Sequence, residues 1–357
     1  MIMMLFTLVF AWAWQKSRKR CVSAGKTVCE NKVQYAAAAL AMAGTFIPMY
    51  IVNAGMSYVG NDYANYYRYY QNIAAGREQD VDIAYKLINI FVIDAGLDFQ
   101  WVYFITCFIA YALLILCVWK YSKNYVLSYL LFFTSGYFFL LGLNQIRQFV
   151  TMGFVLWGMQ YIRKKKFWKY ALCILLAASF HFTALVMIPF YFILDKKIKF
   201  SFYFVISMCA LPINFFLTDI LTFLFKTFLP RYLQSNYISK TYSLNIPYLT
   251  MIVVSELVIL FLIGKSRENR TDENNRIFFN STMIGTIMAM FCTWLPEYQR
   301  FVYYFFMCSI FFIPNLLTTE PVKWKKALLL LAVIGADLIY LVMSAGEMNV
   351  LIYKSVF

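Results

Sequence analysis

Apolar runs of about 20 residues, the length that crosses a bilayer as an α-helix, recur along the whole chain. Short polar or basic stretches separate them, and no run alternates strictly between apolar and polar positions, which argues against strands. The pattern predicts an all-α polytopic membrane protein with about 10 to 12 transmembrane or re-entrant helices. The predicted helices are 1–14, 33–52, 101–119, 125–143, 144–162, 200–217, 248–264, 277–293, 301–317 and 327–343.

Residues 170–194 allow two interpretations. A single helix here would cross the membrane and would leave the later basic clusters, 265–276 and 323–326, on the outer side. Basic loops belong on the cytoplasmic side, so a broken hairpin that turns near Ser179–His181 is favoured. Irregular backbone at membrane depth is tolerated only against protein or water, so such a tip would be buried in the protein.

Two stretches, 53–100 and 218–247, are predicted to lie on the outer face. The first is rich in tyrosine and acidic residues, and its part 83–91 carries a helical apolar stripe. This pattern is typical of an amphipathic helix at the membrane surface. No soluble domain is recognisable, so 1–357 is interpreted as one integral membrane domain with two outer-face segments.

Composition narrows the class of function. Only 14% of the residues are charged, against about 25% in an average soluble domain. The net charge of +15 comes from short clusters between apolar runs, which is typical of cytoplasmic loops and not of a nucleic-acid-binding surface. One histidine and eight dispersed cysteines argue against a metal site, and no other cofactor is expected.

Arginines at the outer ends of apolar helices are the first candidates for chemistry. Arg147 lies in the polar group Asn144–Gln148, and Arg300 follows Glu297. A guanidinium group binds phosphate through paired hydrogen bonds and stays charged in low dielectric. Phosphate binding is therefore predicted for Arg147, Arg300 and Arg231, whereas snorkelling to the membrane surface is the alternative.

His181, the only histidine, lies inside an apolar run. Its unperturbed pKa of about 6.5 suits a general base, although it can also simply pin the hairpin. Asp62, among tyrosines, is the second candidate for the base, or orients a sugar hydroxyl. The predicted catalytic residues are His181, Asp62 and Arg147, and the predicted substrate-binding residues are Asn144, Gln148, Arg300, Arg231, Tyr63, Tyr66 and Glu297.

The sequence Asp80-Val81-Asp82 forms a pair of acids with one residue between them. Such pairs can hold a divalent cation together with a sugar nucleotide. Because the pair is predicted to lie outside, away from nucleotide pools, this interpretation is not favoured.

Four short motifs occur in order along the chain. They are Val59–Tyr66 with Gly60, Asp62 and spaced tyrosines; Asn144–Gln148, an Asn-x-x-Arg-Gln motif; Ser179–Leu185, a Phe-His-x-Thr-Ala motif followed by Pro189; and Arg300 before an aromatic run. Together they resemble the EpsG-like, Wzy-type family of bacterial polysaccharide polymerases. Asn61 departs from that pattern, since small hydroxyl residues are common there in the family.

The resemblance implies a glycosyltransferase of GT-C type in the bacterial cytoplasmic (inner) membrane. It would join oligosaccharide repeats carried on undecaprenyl diphosphate into capsule, exopolysaccharide or O-antigen at the outer face. His181 or Asp62 would take the acceptor proton, and Arg147 with Arg300 or Arg231 would stabilise the leaving diphosphate without metal. The implied partners are the lipid-linked oligosaccharide, the bilayer, a chain-length regulator and a flippase, with no nucleic acid.

Three other functions stay open from the sequence. A flippase or transporter of lipid-linked oligosaccharide would need polar residues that reach both faces. A polytopic sugar acyltransferase would also use a histidine within the membrane. A non-catalytic assembly subunit would need neither Arg147 nor His181.

Overall fold

The computed structural model describes residues 2–23, 32–135, 138–199, 201–203, 205–207, 209, 273–291, 299–319, 322–347, 350 and 353–356. Within these ranges every regular element is a helix, which confirms the predicted all-α polytopic class. The predicted outer segment 218–247, the predicted helix 248–264, Arg231 and Glu297 lie outside the described residues.

The helices, in chain order, are α1 Ile2–Ser23, α2 Lys32–Ala54, α3 Tyr63–Ala74, α4 Ile83–Asp94, α5 Gln100–Tyr121, α6 Tyr125–Thr134, α7 Phe139–Asn144, α8 Ile146–Arg163, α9 Phe167–Phe180, two 3₁₀ helices Phe182–Met187 and Pro189–Phe192, α10 Glu273–Phe291, α11 Gln299–Phe306, α12 Ser309–Thr319 and α13 Lys323–Glu347. Three stretches of the described chain are long and apolar enough to cross a membrane: Ala36–Ala54, Gln100–Tyr121 and Arg300–Thr318.

The first helix is longer than predicted. The sequence suggested a helix ending at Trp14 and a basic loop from residue 15, but α1 continues to Ser23. Lysine and arginine are good helix formers, so a basic stretch can prolong a helix beyond its apolar part. Arg18 also anchors this end, because it donates a hydrogen bond of 3.1 Å to the carbonyl of Trp119 at the end of α5.

Two predicted continuous helices are interrupted. The run 125–143 forms α6 and the short α7, and the run 301–317 forms α11 and α12 with a turn at Met307–Cys308. Apolar composition does not reveal such breaks. Within α12, Pro314 has no N–H to donate to the Ile310 carbonyl, and the Ser128 hydroxyl of α6 donates to that carbonyl at 2.7 Å instead.

The region 170–194 has the geometry of the predicted hairpin. Helix α9 ends at Phe180, His181 has extended backbone (φ −157°, ψ 111°), and the chain returns through the two 3₁₀ helices. The Tyr170 hydroxyl on the first arm donates to the Met187 carbonyl on the second at 2.7 Å. Lys165 before the hairpin forms an ion pair with Asp195 after it, so both ends lie together.

Asp195 joins this end of the hairpin to α10 as well. It accepts hydrogen bonds from Lys165 and from Arg276, the latter at 3.0 Å from Nε. Burial alone would raise the pKa of Asp195, but the two cations outweigh burial and hold the pKa below its ordinary value. The carboxylate is therefore ionised at neutral pH and fastens three segments of the chain.

The segment 53–100, which is predicted to lie on the outer face, contains two helices, and only one of them was predicted. Helix α4 contains the predicted amphipathic stretch 83–91, whereas α3 was not recognised. Helix α3 buries Tyr63 and Tyr66, whose rings lie 5.3 Å and 6.3 Å from the ring of Tyr103 on α5. Aromatic packing at these distances is favourable, so α3 is held against the transmembrane helices.

The segment 353–356 pairs with the start of the segment 53–100. Ser57 N–H donates to the Lys354 carbonyl and Val356 N–H donates to the Gly55 carbonyl, both at 2.9 Å. The Tyr353 hydroxyl donates to the Val52 carbonyl at 2.8 Å. These bonds satisfy backbone groups of a loop that leaves α2 and leads to residues 59–62.

The hairpin can be tested by labelling with a membrane-impermeant thiol reagent in a variant whose native cysteines are replaced by alanine. Lys164→Cys and Lys197→Cys are exposed positions at the two ends of the hairpin, and we expect both to be labelled from the same side. The exposed Asp80→Cys should be labelled from the opposite side. Labelling of positions 164 and 197 from opposite sides would establish a single crossing.

Candidate functional site

Two helix interruptions bring the predicted site residues to one place. The first lies at Gln145 (φ −111°, ψ 67°), which separates α7 from α8 and puts Arg147 in the first turn of α8. The second is the extended residue His181 at the end of α9. Helices α8 and α9 are neighbours, and the Thr151 hydroxyl contacts the Ala177 carbonyl at 3.2 Å. The start of α8 therefore lies beside the hairpin tip.

The loop before α3 docks onto the end of α7. Asn144 accepts a hydrogen bond of 3.1 Å from the backbone N–H of Asp62 through its side-chain oxygen Oδ1. Gly60 has a positive φ of +76°, and a Cβ atom there would lie 2.8 Å from both Asn144 Oδ1 and the Leu143 carbonyl. Glycine is therefore required by both backbone conformation and space. Asn144 supports the site and holds Asp62 in position.

One carboxylate connects three elements at the site. Asp82, directly before α4, forms an ion pair with Arg147, with 2.7 Å between Oδ2 and the guanidinium NH1. Its Oδ1 accepts a hydrogen bond of 3.1 Å from the backbone N–H of Phe182. The same Oδ2 lies 3.6 Å from His181 Nδ1. Both side chains of the ion pair are largely shielded, with 18% of Arg147 and 14% of Asp82 exposed.

Tyrosines surround the guanidinium group of Arg147. Its central carbon lies 5.6 Å, 5.8 Å and 5.7 Å from the ring centres of Tyr66, Tyr69 and Tyr85. Cation–π contact at these distances stabilises a charge that is removed from water. Burial raises the pKa of Tyr66 above its ordinary value, so the phenol is protonated at neutral pH. Tyr66 therefore adds no negative charge beside Arg147.

Arg300 reaches the site from the start of α11. The Gln148 side chain donates a hydrogen bond of 2.7 Å to the Arg300 carbonyl, which ties α8 to α11. One turn further, the hydroxyls of Tyr304 and Thr183 lie 2.7 Å apart and connect α11 to the hairpin. Two arginines from distant parts of the chain are therefore brought near one histidine.

These residues enclose a small cavity of about 20 Å³. This volume is enough for a water molecule and far too small for a sugar or a diphosphate. A larger cavity of about 540 Å³ lies among α6, α12 and α13, but no predicted site residue lines it. The residues that line the small cavity are Asp62, Tyr66, Gln145, Arg147, Gln148, His181 and Arg300.

Tyr63 lies apart from this cavity. Its ring packs against Tyr58 at 5.0 Å and Tyr103 at 5.3 Å, and its hydroxyl contacts Gln100 Oε1 at 3.5 Å. Its observed contacts thus hold α3 against α5 and do not include the cavity. Its role in substrate binding stays a prediction.

The sequence did not single out Asp82, Tyr69 or Tyr85 as site residues. The sequence pattern indicates Asp82 only as one member of the pair Asp80-Val81-Asp82, which could hold a cation. Asp80 is exposed. Asp82, in contrast, forms an ion pair with Arg147, lies 3.6 Å from His181 and accepts a hydrogen bond from Phe182. Within the described residues no group of three or more His, Cys, Asp or Glu side chains is arranged to hold a metal ion.

The fold and the site define a polytopic helical membrane protein with ionisable residues buried at one end of its helices. A family model matches residues 40–355, which include every residue of the cavity, and the chain belongs to the EpsG family. The family indicates a function of polysaccharide-polymerase type. No curated protein and no solved structure matches the chain, so the GT-C-like architecture stays a prediction.

The contact between Gly60 and Asn144 can be tested by comparing two glycines that share a positive φ. Gly60→Ala should lower the thermal stability of the purified protein more than Gly76→Ala. Both variants carry the backbone cost of about 1–2 kcal/mol, but a Cβ at position 76 meets nothing within 4 Å. Equal losses in melting temperature would show that the loop does not depend on its contact with α7.

Proposed function

We propose that this protein joins lipid-linked oligosaccharide repeats into a surface polysaccharide at the outer face of the bacterial cytoplasmic membrane. The donor carries its sugar on undecaprenyl diphosphate, and the acceptor is a hydroxyl group of a second lipid-linked chain. Membership of the EpsG family supports polymerase chemistry, and the buried ionisable site supports a reaction near the membrane surface. No metal is needed in this proposal.

The observation that carries the proposal is the convergence of Arg147, His181 and Arg300 on one cavity. These residues lie far apart in sequence, on α8, at the hairpin tip and on α11. Ionisable groups at membrane depth are costly and are usually functional. A reaction that expels a lipid diphosphate and deprotonates a hydroxyl needs cations and a base, and this group of residues supplies both.

Arg147 is the group that we assign to the diphosphate. Its Nε atom is buried and has no hydrogen-bond partner among the described residues, so a donor is available for a phosphate oxygen. The guanidinium can use Nε and a terminal nitrogen together, in the forked geometry that matches phosphate. Arg300 would add a second positive charge as negative charge grows on the leaving group.

The cavity must widen before substrate binds, because its present volume is about 20 Å³. The segment 53–100 covers it through a few polar contacts, namely Asp62 with Asn144 and Asp82 with Arg147 and Phe182. Exchange of the Asp62–Asn144 and Asp82–Arg147 contacts for contacts with the sugar and the diphosphate would open the site, while Asp82 keeps its contact with Phe182. Excluding water until then would protect the donor from hydrolysis.

The assignment of Arg147 can be tested in cells that lack the native gene. Arg147→Ala should abolish long polymer, and Arg147→Lys should fail as well, because an ammonium group lacks the forked geometry. The expected loss is at least about 10²-fold, as when a donor to a developing negative charge is removed. The measurement is the carbohydrate ladder on a gel, with membrane insertion checked by immunoblot.

The matched control is Arg77→Ala, which removes an exposed arginine of the same outer segment outside the cavity lining. Its ladder should equal that of the wild type. A full ladder from Arg147→Ala would contradict the proposal.

Longer chains made by purified protein from lipid-linked repeats would exclude a flippase, whereas transfer of labelled acetyl groups without elongation would identify an acyltransferase.

A further inference from the structure

We infer that Asp82 is a positioning residue that holds His181 in one tautomer, with the proton on Nδ1 and Nε2 free to accept a proton. The mechanistic meaning of this inference rests on the proposed function. Its structural content, a carboxylate that fixes the orientation of the single histidine, does not.

The geometry selects Nδ1 as the nitrogen that faces the carboxylate. Asp82 Oδ2 lies 3.6 Å from His181 Nδ1, and this nitrogen is buried with no hydrogen-bond partner among the described residues. A neutral imidazole carries one proton, on either nitrogen, and an ionised carboxylate can only accept. The nearby carboxylate therefore favours the tautomer that has its proton on Nδ1.

The separation of 3.6 Å is longer than a hydrogen bond and would need to shorten by about 0.6 Å. Hydrogen bonds between catalytic groups are often long before substrate binds and tighten in the complex. Arg147 NH1 shares the same Oδ2 at 2.7 Å, so Arg147 and His181 compete for one carboxylate oxygen. When a diphosphate binds Arg147, Asp82 Oδ2 can accept a hydrogen bond from His181 Nδ1 instead.

Asp82 also holds the backbone of the hairpin tip in the position that this interaction needs. The other oxygen of Asp82 accepts the N–H of Phe182, the residue that follows His181, at 3.1 Å. Asp82 therefore fixes both the backbone beside the imidazole and the ring nitrogen itself. A base that is oriented by a third group is the arrangement found where a hydroxyl must be activated.

Proton transfer to His181 accompanies the transfer of the sugar. The acceptor O–H gives its proton to His181 Nε2 while the acceptor oxygen forms a bond to the anomeric carbon of the donor sugar. The bond from that carbon to the phosphate oxygen breaks, and its electron pair leaves with the lipid diphosphate. Asp82 stabilises the imidazolium, which then returns its proton to solvent. Of the two predicted bases, His181 and Asp62, this assigns proton transfer to His181.

The test uses the fact that the chain contains one histidine. Protein labelled with ¹⁵N-histidine and purified without a histidine tag gives the signals of one imidazole, whose ¹⁵N shifts report the tautomer. In the wild type, at a pH where the ring is neutral, we expect the Nδ1–H form to dominate. In Asp82→Asn, we expect the Nε2–H form to dominate, because the side-chain amide can donate to Nδ1.

The control is Asp80→Asn, which removes the exposed acid two residues away and should leave spectrum and polymer unchanged. Asp82→Asn keeps an oxygen that can accept from Phe182 but loses the ion pair with Arg147, so the tautomer of His181, and not activity alone, separates a positioning role from a structural one. We also expect a loss of polymerisation of about 10²-fold. An unchanged tautomer or full activity in this variant would overturn the inference.

The wild-type spectrum alone decides the case if Asp82→Asn does not insert into the membrane. A dominant Nε2–H signal in the wild type overturns the role of Asp82, whatever the protein catalyses. Long polymer made by His181→Ala, in contrast, overturns the proposed function. The two failures are therefore distinguishable.

Discussion

The largely shielded ion pair between Asp82 and Arg147 is the constraint on which the site depends. Removing either partner would leave an uncompensated charge in a region shielded from water, which is far more costly than losing an exposed pair. The ion pair holds the start of α4 against α8. Asp82 also accepts a hydrogen bond from the Phe182 N–H, which joins the hairpin to the same place. Tyr66, Tyr69 and Tyr85 also surround the guanidinium group of Arg147, and their rings stabilise its positive charge.

The sequence predicted the cationic and basic groups of the site better than the group that organises them. Arg147 and His181 are conspicuous because they interrupt apolar runs, where an ionisable side chain requires an explanation. Asp82 lies in a polar stretch, where an acid is unremarkable, and its partners are 65 and about 100 residues away. Side-chain pairing across such separations is set by tertiary packing, which local pattern does not contain.

Some parts of the fold could likewise be predicted from the sequence, and others could not. Apolar length predicted which segments are helical, and the distribution of lysine and arginine favoured a hairpin at 170–194, the geometry that the structure shows. The breaks within 125–143 and 301–317 were missed because both sides of each break are equally apolar. Helix α3 was missed because its tyrosines are amphipathic, and their burial depends on Tyr103, a partner on another helix.

The pairing of 353–356 with 55–57 has a consequence for biogenesis. Ser355 and Gly55, which share a hydrogen bond of 3.2 Å, are 300 positions apart, so a ribosome makes one long after the other. The stretch that leads into Gly60 and Asp62 therefore lacks these backbone partners throughout synthesis of the intervening helices. A nascent chain that is still being translated would therefore have an incompletely fastened site until the late segment has been made.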